Sequence, residues 1–268
     1  MSKETLTVCS WNVLDTNARK EEVLKFLGSM SCDVFCLQEV SESLLEQLKV
    51  LPYKIVFGVD LIRQKKEETQ TCYTVILTPH SIKSSNNILL YQNDPPKFRT
   101  ATFIRLANLF GGAWTKLVGD RAGVCADIIL SNSNQFRIFS AHLSNIGPKQ
   151  RLKEFNILAD HLLEDGSNII AGDFNVIDNP KLNFYNWLMG APFSESLPWY
   201  HEREIMEDSF FDAGFSNPMR GKSTILFIKN QTDHILVPSR FTVLNTKILK
   251  DSFGSDHYPL IAEVSINE

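Results

Sequence analysis

The run Asp33-Val-Phe-Cys-Leu37 is apolar at every position after its first, and it ends on Gln38 and Glu39. A strand with two apolar faces has to be covered on both sides, so the chain must build layers above and below it. Asn168 to Ala171 has the same character. Between such strands the first half carries helical spacing. Val23, Leu24, Leu27 and Met30 predict a helix over 18–30. Ser41 is placed to cap a second one, with Leu44, Leu45 and Leu48 as its stripe. Lys149 to Leu163 turns Leu152, Phe155, Leu158, Ala159 and Leu162 inward.

Leu6–Trp11, Tyr53–Phe57 and Tyr73–Leu77 read as further strands, with the polar stretch RQKKEETQT (63–71) as an exposed loop between the last two. Val124–Leu130 and Phe136–Ser140 form a hairpin turned at Asn132-Ser-Asn134. Residues 180–206 are irregular and rich in aromatics, and Glu207–Phe215 is a short helix. Thr224–Ile228, His234–Val237, Phe241–Leu244 and Leu260–Ile266 are strands with little helix between them, so antiparallel pairing is expected there. No repeat, low-complexity segment or Gly/Ser/Pro-rich linker divides the chain, which is read as one domain over 1–268.

Composition narrows the class. Apolar residues make up 43% and charged residues 22%, the balance of a water-soluble enzyme. No apolar run approaches the roughly 20 residues that span a bilayer, and the first residues lack the apolar core of an export signal. A cytoplasmic monomer is the expectation. Five cysteines, an odd number without a CxxC pair, fit reduced buried thiols rather than a zinc site or a disulfide framework. The 27 basic against 31 acidic residues leave no overall basic footprint for long nucleic acid.

The informative pattern is where polar residues fall on the apolar strands. Asn12 follows LTVCSW, Glu39 follows DVFCLQ, His142 follows FRIFSA, and Asp173 follows NIIAG with Asn175 two residues on. In the C-terminal part the order reverses: Asp233 precedes HILVP, and Asp256-His257 precedes YPLIAEV. If the last strands run opposite to the earlier ones, all these groups meet on one rim. Such a set suits phosphate ester hydrolysis. That reaction needs a hard cation held by one or two carboxylates, an oriented water, and donors for charge on the phosphate oxygens. A Ser-His-Asp acyl-transfer site fits worse, because no G-x-S-x-G elbow is present.

The blocks SWN (10–12), LQEV (37–40), SAHL (140–143), AGDFN (171–175), TDHILVP (232–238) and GSDHYPL (254–260) together resemble the endonuclease/exonuclease/phosphatase superfamily, the DNase I-like fold. The resemblance implies a four-layer α/β sandwich, two mixed β-sheets face to face with helices outside, and a phosphoesterase that uses Mg²⁺ or Mn²⁺. Carried over residue by residue, it makes Glu39 the main metal ligand, with Asn12 and Asp256 as further ligands. Asp173 orients and activates the attacking water, and Asn175 holds the water or the phosphate. His257 contacts the phosphate and assists proton transfer, Asp233 fixes its tautomer, and His142 donates to the phosphate. His161 is read as a surface residue and His234 as a strand residue facing the other way.

The stretch from Arg121 to Leu143, followed by Arg151, is similar to the 5′-tyrosyl-DNA phosphodiesterases, which makes Arg121 and Arg151 candidates for substrate binding. GDFN departs from the Gly-Asp-Thr-Asn of that group, so the subfamily is left open. The leading expectation is a phosphodiesterase on nucleic acid or a nucleic-acid adduct. The alternative is hydrolysis of a phospholipid or small phosphorylated molecule. A non-catalytic module on the same fold fits least, since Glu39, Asp173, Asp233, Asp256 and His257 all stand. Phe98–Val118 is read as an inserted hairpin with Gly111-Gly112 at its tip, and Arg99, Arg105 and Lys116 as candidate contributors to a local basic groove.

Overall fold

Alternation along the strands sorts the interior into layers. The computed structural model describes residues 5–65, 68–92, 98–109, 116–118, 120–130, 134–177, 179, 182–226 and 228–266. In chain order the elements are β1 (Thr5–Asn12), α1 (Lys20–Ser29), β2 (Val34–Ser41), α2 (Glu42–Leu48), β3 (Lys54–Lys65), β4 (Glu68–Thr78), β5 (Ser81–Tyr91), α3 (Phe98–Leu109), β6 (Lys116–Val118), β7 (Arg121–Ile129) and β8 (Gln135–His142). They continue as α4 (Pro148–Ala159), β9 (Asn168–Asp173), α5 (Asn183–Leu188), a 3₁₀ turn (Phe193–Ser196), α6 (Glu202–Asp212), β10 (Phe215–Ser216), β11 (Asp233–Pro238), β12 (Thr242–Ile248) and β13 (Leu260–Ser265).

Two mixed sheets result. One runs β12-β13-β1-β2-β4-β3-β6 and the other β10-β11-β9-β8-β7-β5. Leu6 and Val8 of β1, Val34 and Cys36 of β2, Ile138 of β8, Ile169 and Ala171 of β9, and Ile235 and Val237 of β11 fill the space between the sheets. The alternate residues face outward. Cys9, Trp11, Phe35 and Leu37 pack under α1 and α2, and Phe139, Ile170 and Leu236 pack under α4 and α6. This is the expected α/β/β/α sandwich. All five cysteines are free and buried.

Several local expectations are corrected. Residues 98–109 are helical rather than the first arm of a hairpin, and β6 pairs with β3 instead; the Gly111-Gly112 tip lies outside the described residues. The polar stretch at 63–71 largely extends the β3–β4 hairpin, with Arg63 opposite Gln70, because backbone pairing tolerates polar side chains on an exposed ribbon. Strand β5 carries little sequence signal over its first half: it is an edge strand, polar and exposed from Lys83 to Asn87, and among the described residues it pairs with β7. Of the strand expected over Thr224–Ile228, the described residues show an isolated bridge from Ile225 to His257 and no ladder; residue 227 lies outside the described residues. Residues 180–206 hold α5 and the 3₁₀ turn, and α6 starts at Glu202 and ends at Asp212. Ser41 has the extended backbone of an N-cap, but its hydroxyl makes no capping bond. The turns at 131–133 and at Asp178 and Pro180 lie outside the described residues.

Candidate active site

The inward-facing phase of five strands ends in polar residues at one edge of the sandwich. Asn12 continues Leu6 and Val8, Gln38 continues Val34 and Cys36, His142 continues Phe136 and Ile138, and Asp173 continues Ile169 and Ala171. Asp233 opens the phase that Ile235 and Val237 follow. β1 is parallel to β2 and β8 is parallel to β9, while β11 is antiparallel to β9, so Asp233 lies directly opposite Asp173. "After the strand" and "before the strand" therefore name one rim.

Glu39 is out of this phase, and the backbone re-aims it. The β2–β4 register shifts between Leu37 and Val40, and Glu39 takes φ +53. Its N–H donates to Asp60 Oδ2 at 3.1 Å. Asn175 also has positive φ (+52); its N–H donates to Asp173 Oδ1 (3.0 Å) and its side-chain amide to the Leu143 carbonyl (2.9 Å). Gly172 explains the glycine of AGDFN. At φ +152 a Cβ there would sit 1.8 Å from the Ala141 carbonyl oxygen on the neighbouring parallel strand. Phe174 fixes the opposite side of the same turn, buried among Phe155, Phe210 and the His234 ring.

The Ser255–Asp256–His257 turn is clipped to the first block. Ser255 Oγ donates to the Asn12 carbonyl (2.7 Å) and accepts the His257 N–H (3.0 Å), and Trp11 Nε1 donates to the His257 carbonyl (3.1 Å). Gly254 turns with φ +89, and a Cβ there would meet Asn17 Oδ1 at 2.5 Å. β13 begins at Leu260, directly after Pro259.

Two histidine–carboxylate pairs face each other across the rim. His257 Nδ1 bonds Asp233 Oδ2 at 2.8 Å, whereas the nearest Asp256 oxygen is 3.9 Å from its Nε2. Asp233 is fully enclosed, accepts the Thr232 hydroxyl at 2.8 Å, and its N–H donates to Thr224 Oγ1 at 3.1 Å. Burial opposes a charge on His257, but Asp233 and then Asp173 outweigh it and lift the imidazole to about 10. His142 Nδ1 bonds Asp60 Oδ2 at 2.8 Å. Burial and Arg121 work against its charge, Asp60 works for it, and the balance raises it above the ordinary histidine value. Asp173 Oδ2 is the focus. Asn12 Nδ2 lies 3.1 Å from it, His142 Nε2 3.6 Å and His257 Nε2 3.8 Å.

The donor set fits a hard divalent cation. Glu39, Asn12 and Asp256 offer oxygens, the preference of Mg²⁺. Burial raises the Asp256 carboxyl from its ordinary value, His257 works against this, and repulsion from Glu39 and Asp173 adds to the rise; a cation there would offset that repulsion. Ligand atoms of Asp173, Asp233 and His257 also lie within 4.8 Å of one another. In that group, however, Asp233 Oδ2 is already spent on His257 Nδ1, so it reads as a hydrogen-bonded relay rather than a metal cage.

Arg121 and Arg151 are not presented to a substrate, which corrects the sequence reading. Arg121 is buried, and its Nη2 and Nε donate to Asp60 Oδ1 (3.0 Å) and the Asp60 carbonyl (3.3 Å). Arg151 is fully enclosed and staples α4 to α5 and α6 through Asn186 Oδ1 (3.1 Å) and Glu202 Oε2 (2.7 Å). Both answer interior carboxylates, since an unpaired buried guanidinium is costly. Arg99 is likewise committed, to the Trp187 and Ala191 carbonyls. His161 is half-buried rather than on the surface, its Nδ1 on the Ile157 carbonyl. His234 faces away from the rim, as expected. Burial, then Arg203, depress its pKa well below normal, so it stays neutral, donating from Nδ1 to the Thr232 carbonyl and accepting from Arg203 at Nε2.

Sequence reasoning missed Asp60, Asp15 and Arg63. Asp60 had a usable signal: IVFGVD is one more apolar run ending on an acid, in the inward phase of Val56. Asp15 and Arg63 carried none, since their pairing (Arg63 Nη1 to Asp15 Oδ1, 2.7 Å) joins distant loops and strands.

Residues 9–257 match the endonuclease/exonuclease/phosphatase family. Among curated proteins no sequence matches. Solved structures resemble this one over nearly its whole length. An endonuclease/exonuclease/phosphatase from Beutenbergia cavernae DSM 12333 has 16% identity and a TM-score of 0.69, covering 98% of this chain and 72% of that one. The mannosyl-6-phosphatase of Bacteroides thetaiotaomicron VPI-5482 has 19% identity and a TM-score of 0.64, covering 97% and 100%. D. rerio TDP2, complexed with a single-stranded DNA product, has 16% identity and a TM-score of 0.61, covering 98% and 99%. At these identities the likeness establishes the fold.

Proposed function

Since this chain belongs to the endonuclease/exonuclease/phosphatase family, we propose that it is a divalent-metal-dependent phosphoesterase whose site is the rim around Asp173. The observation that carries this reading is the convergence of Asn12, His142 and His257 on one Asp173 oxygen, with each histidine backed by its own buried carboxylate. Asp173, braced by the Asn175 N–H, takes a proton from the attacking water as its oxygen bonds to phosphorus. The ester P–O bond breaks on the far side, where the departing oxygen takes a proton from solvent, and the His257 imidazolium, 3.8 Å from Asp173 Oδ2, donates to a phosphate oxygen. His142 donates to a non-bridging oxygen, and Asn175 offers its side-chain amide oxygen to the water. Asp233 and Asp60 orient both imidazoles and favour their charged forms. Glu39, Asn12 and Asp256 would hold Mg²⁺ or Mn²⁺, which when bound supplies Lewis-acid polarisation of the phosphate and charge neutralisation.

For substrate, nucleic acid or a nucleic-acid adduct is the first class. It is supported by the Arg121–Leu143 resemblance and by the DNA product held by D. rerio TDP2 on the same fold. A small phosphorylated molecule or phospholipid headgroup is the second. It is favoured by the burial of Arg121 and Arg151, which removes two cations from any basic groove, and by the mannosyl-6-phosphatase neighbour. No helix among the described residues is long and apolar enough to cross a membrane. We take the protein to act as a monomeric single domain in the cytoplasm, a setting that suits five free buried thiols.

The test is hydrolysis by the purified protein, with Mg²⁺ and with EDTA, of abasic duplex, 5′-tyrosyl oligonucleotide, poly(A), inositol phosphates and sphingomyelin. His257→Ala and Asp173→Asn are assayed beside it. Metal-dependent turnover lost in both variants is expected. Turnover that survives both would sink the mechanism, and turnover confined to the last two substrates would move the assignment to the second class.

A further inference from the structure

Arg63 is held in a way that its neighbours are not. It projects from β3, and its guanidinium bridges two carboxylates, Nη1 to Asp15 Oδ1 at 2.7 Å and Nη2 to Glu39 Oε2 at 2.8 Å. Asp15 is fully enclosed, and its other oxygen accepts the Cys72 thiol at 3.6 Å, so this end of the bridge is anchored. The Arg63 side chain keeps 24% of its surface exposed, unlike Arg121 at 7% and Arg151 at 0%. Glu39 divides its oxygens, Oε2 to Arg63 and Oε1 to Asn12 Nδ2 at 3.3 Å.

Two of the five guanidinium N–H groups are thus committed, one of them to the carboxylate that the proposed reaction assigns to the metal. Asp15, Arg63 and Glu39 sum to one negative charge. With a divalent cation on Glu39 the same cluster carries one positive charge, and Nη2 faces a carboxylate whose lone pairs point elsewhere. Arg63 cannot follow Glu39, because leaving would strand the buried Asp15 charge. A freed guanidinium edge pairs best with an anion that offers two oxygens side by side, as a phosphate does.

We propose that Arg63 is a substrate-phosphate-binding residue, parked on Glu39 until metal loading and turned to a non-bridging phosphate oxygen afterwards. Its anchor on Asp15 keeps it pre-organised, so little side-chain entropy is lost on binding. The proposal rests on the reading of the rim as a metal-dependent phosphoesterase site, and its test separates the two.

Inorganic phosphate and Mg²⁺ are the probes, each titrated calorimetrically into wild type, Arg63→Met and Arg63→Lys, with near-ultraviolet circular dichroism as the check on folding. Wild type should bind phosphate at least tenfold tighter with Mg²⁺ than in EDTA. Arg63→Met should weaken phosphate binding to the Mg²⁺-saturated protein at least tenfold while Mg²⁺ affinity stays equal or rises, because a repelling charge has gone. Arg63→Lys, which keeps the charge facing Asp15 and is the safer folder, should bind phosphate several-fold weaker than wild type with Mg²⁺ affinity unchanged. Phosphate affinity equal to wild type in either variant overturns the proposal. So does a loss of Mg²⁺ affinity that accounts for the whole loss of phosphate, which would make Arg63 a support for Glu39 alone. Mg²⁺-loaded wild type that takes up no phosphate would defeat the phosphoesterase reading itself, and the Arg63 role with it.

Discussion

Replacing Asp60 by asparagine probes the site at a group that need not touch substrate. Its carboxylate accepts from His142 Nδ1 (2.8 Å), the Glu39 N–H (3.1 Å) and Arg121 Nη2 (3.0 Å), and the residue is buried. Asparagine has one acceptor oxygen and presents an NH₂ where the other stood, so at least one donor faces a donor. The larger cost is charge. A guanidinium keeps its charge, and removing one member of a buried pair costs about 3–5 kcal/mol. At about 2–4 °C per kcal/mol for a chain of this size, the melting temperature of the metal-free protein should fall by roughly 6–20 °C in scanning calorimetry. Arg121→Met in the Asp60→Asn background removes the orphaned guanidinium, so the double variant should be more stable than Asp60→Asn alone. The pH dependence has a definite sign. Burial opposes the Asp60 charge, but His142 and Arg121 outweigh it and hold the carboxyl well below the usual range. Its stabilisation is therefore present above the unfolded carboxylate pKa of about 4 and lost as pH falls. Asp60→Asn should lack that part of the acid sensitivity. A shift below about 2 °C, or strictly additive effects in the double variant, would refute the reasoning.

Gly172→Ala should fail to fold or lose more than about 4 kcal/mol in urea titrations, since its Cβ would overlap the Ala141 carbonyl; a near-wild-type midpoint would show that β8 and β9 can part locally. Mg²⁺ at about 100 times its Kd should stabilise wild type by about 2.7 kcal/mol, and Glu39→Gln should abolish most of that increment in thermal denaturation. The His257 imidazole in EDTA should titrate by NMR near 10. Its folded pKa lies above the unfolded value of about 6.5, so its stabilisation is complete below about 6.5 and lost as pH rises towards 10, and Asp233→Asn should flatten that loss. A midpoint below 7 would mean that Asp233 does not govern this ring.

The strand parity that builds the rim was legible without coordinates. Asn12, His142, Asp173 and Asp233 share the inward phase of their strands, and their places at strand ends with reversed order in the last strands suffice to predict one edge; Glu39 reaches it only through the register shift after Leu37, and His257 through the turn before β13. The elements that escaped notice lacked periodic apolar signal. β5 is a polar edge strand for half its length, and α3 was read as a hairpin because its apolar residues follow no clear helical stripe.

The need for glycine at 172 came from the tertiary structure: β9 runs parallel to β8 there, and only a missing Cβ clears the carbonyl of Ala141 on the neighbouring strand. Partner choice is set by tertiary structure, and for His257 the family resemblance had already pointed to Asp233. Asp256 adjoins His257 in the chain, yet Asp233, twenty-four positions away, makes the hydrogen bond, because pairing of β11 with β9 and the Ile225–His257 bridge set the ring's direction. Arg121 and Arg151 carry the same charge as Arg63 in the sequence. Burial commits the first two to Asp60 and Glu202, and partial exposure leaves the third at the mouth of the site. A side chain's charge is written in its residue type. The dielectric around it and the atoms within hydrogen-bonding reach arise only when distant strands meet, and these set whether that charge holds the fold together or faces a substrate.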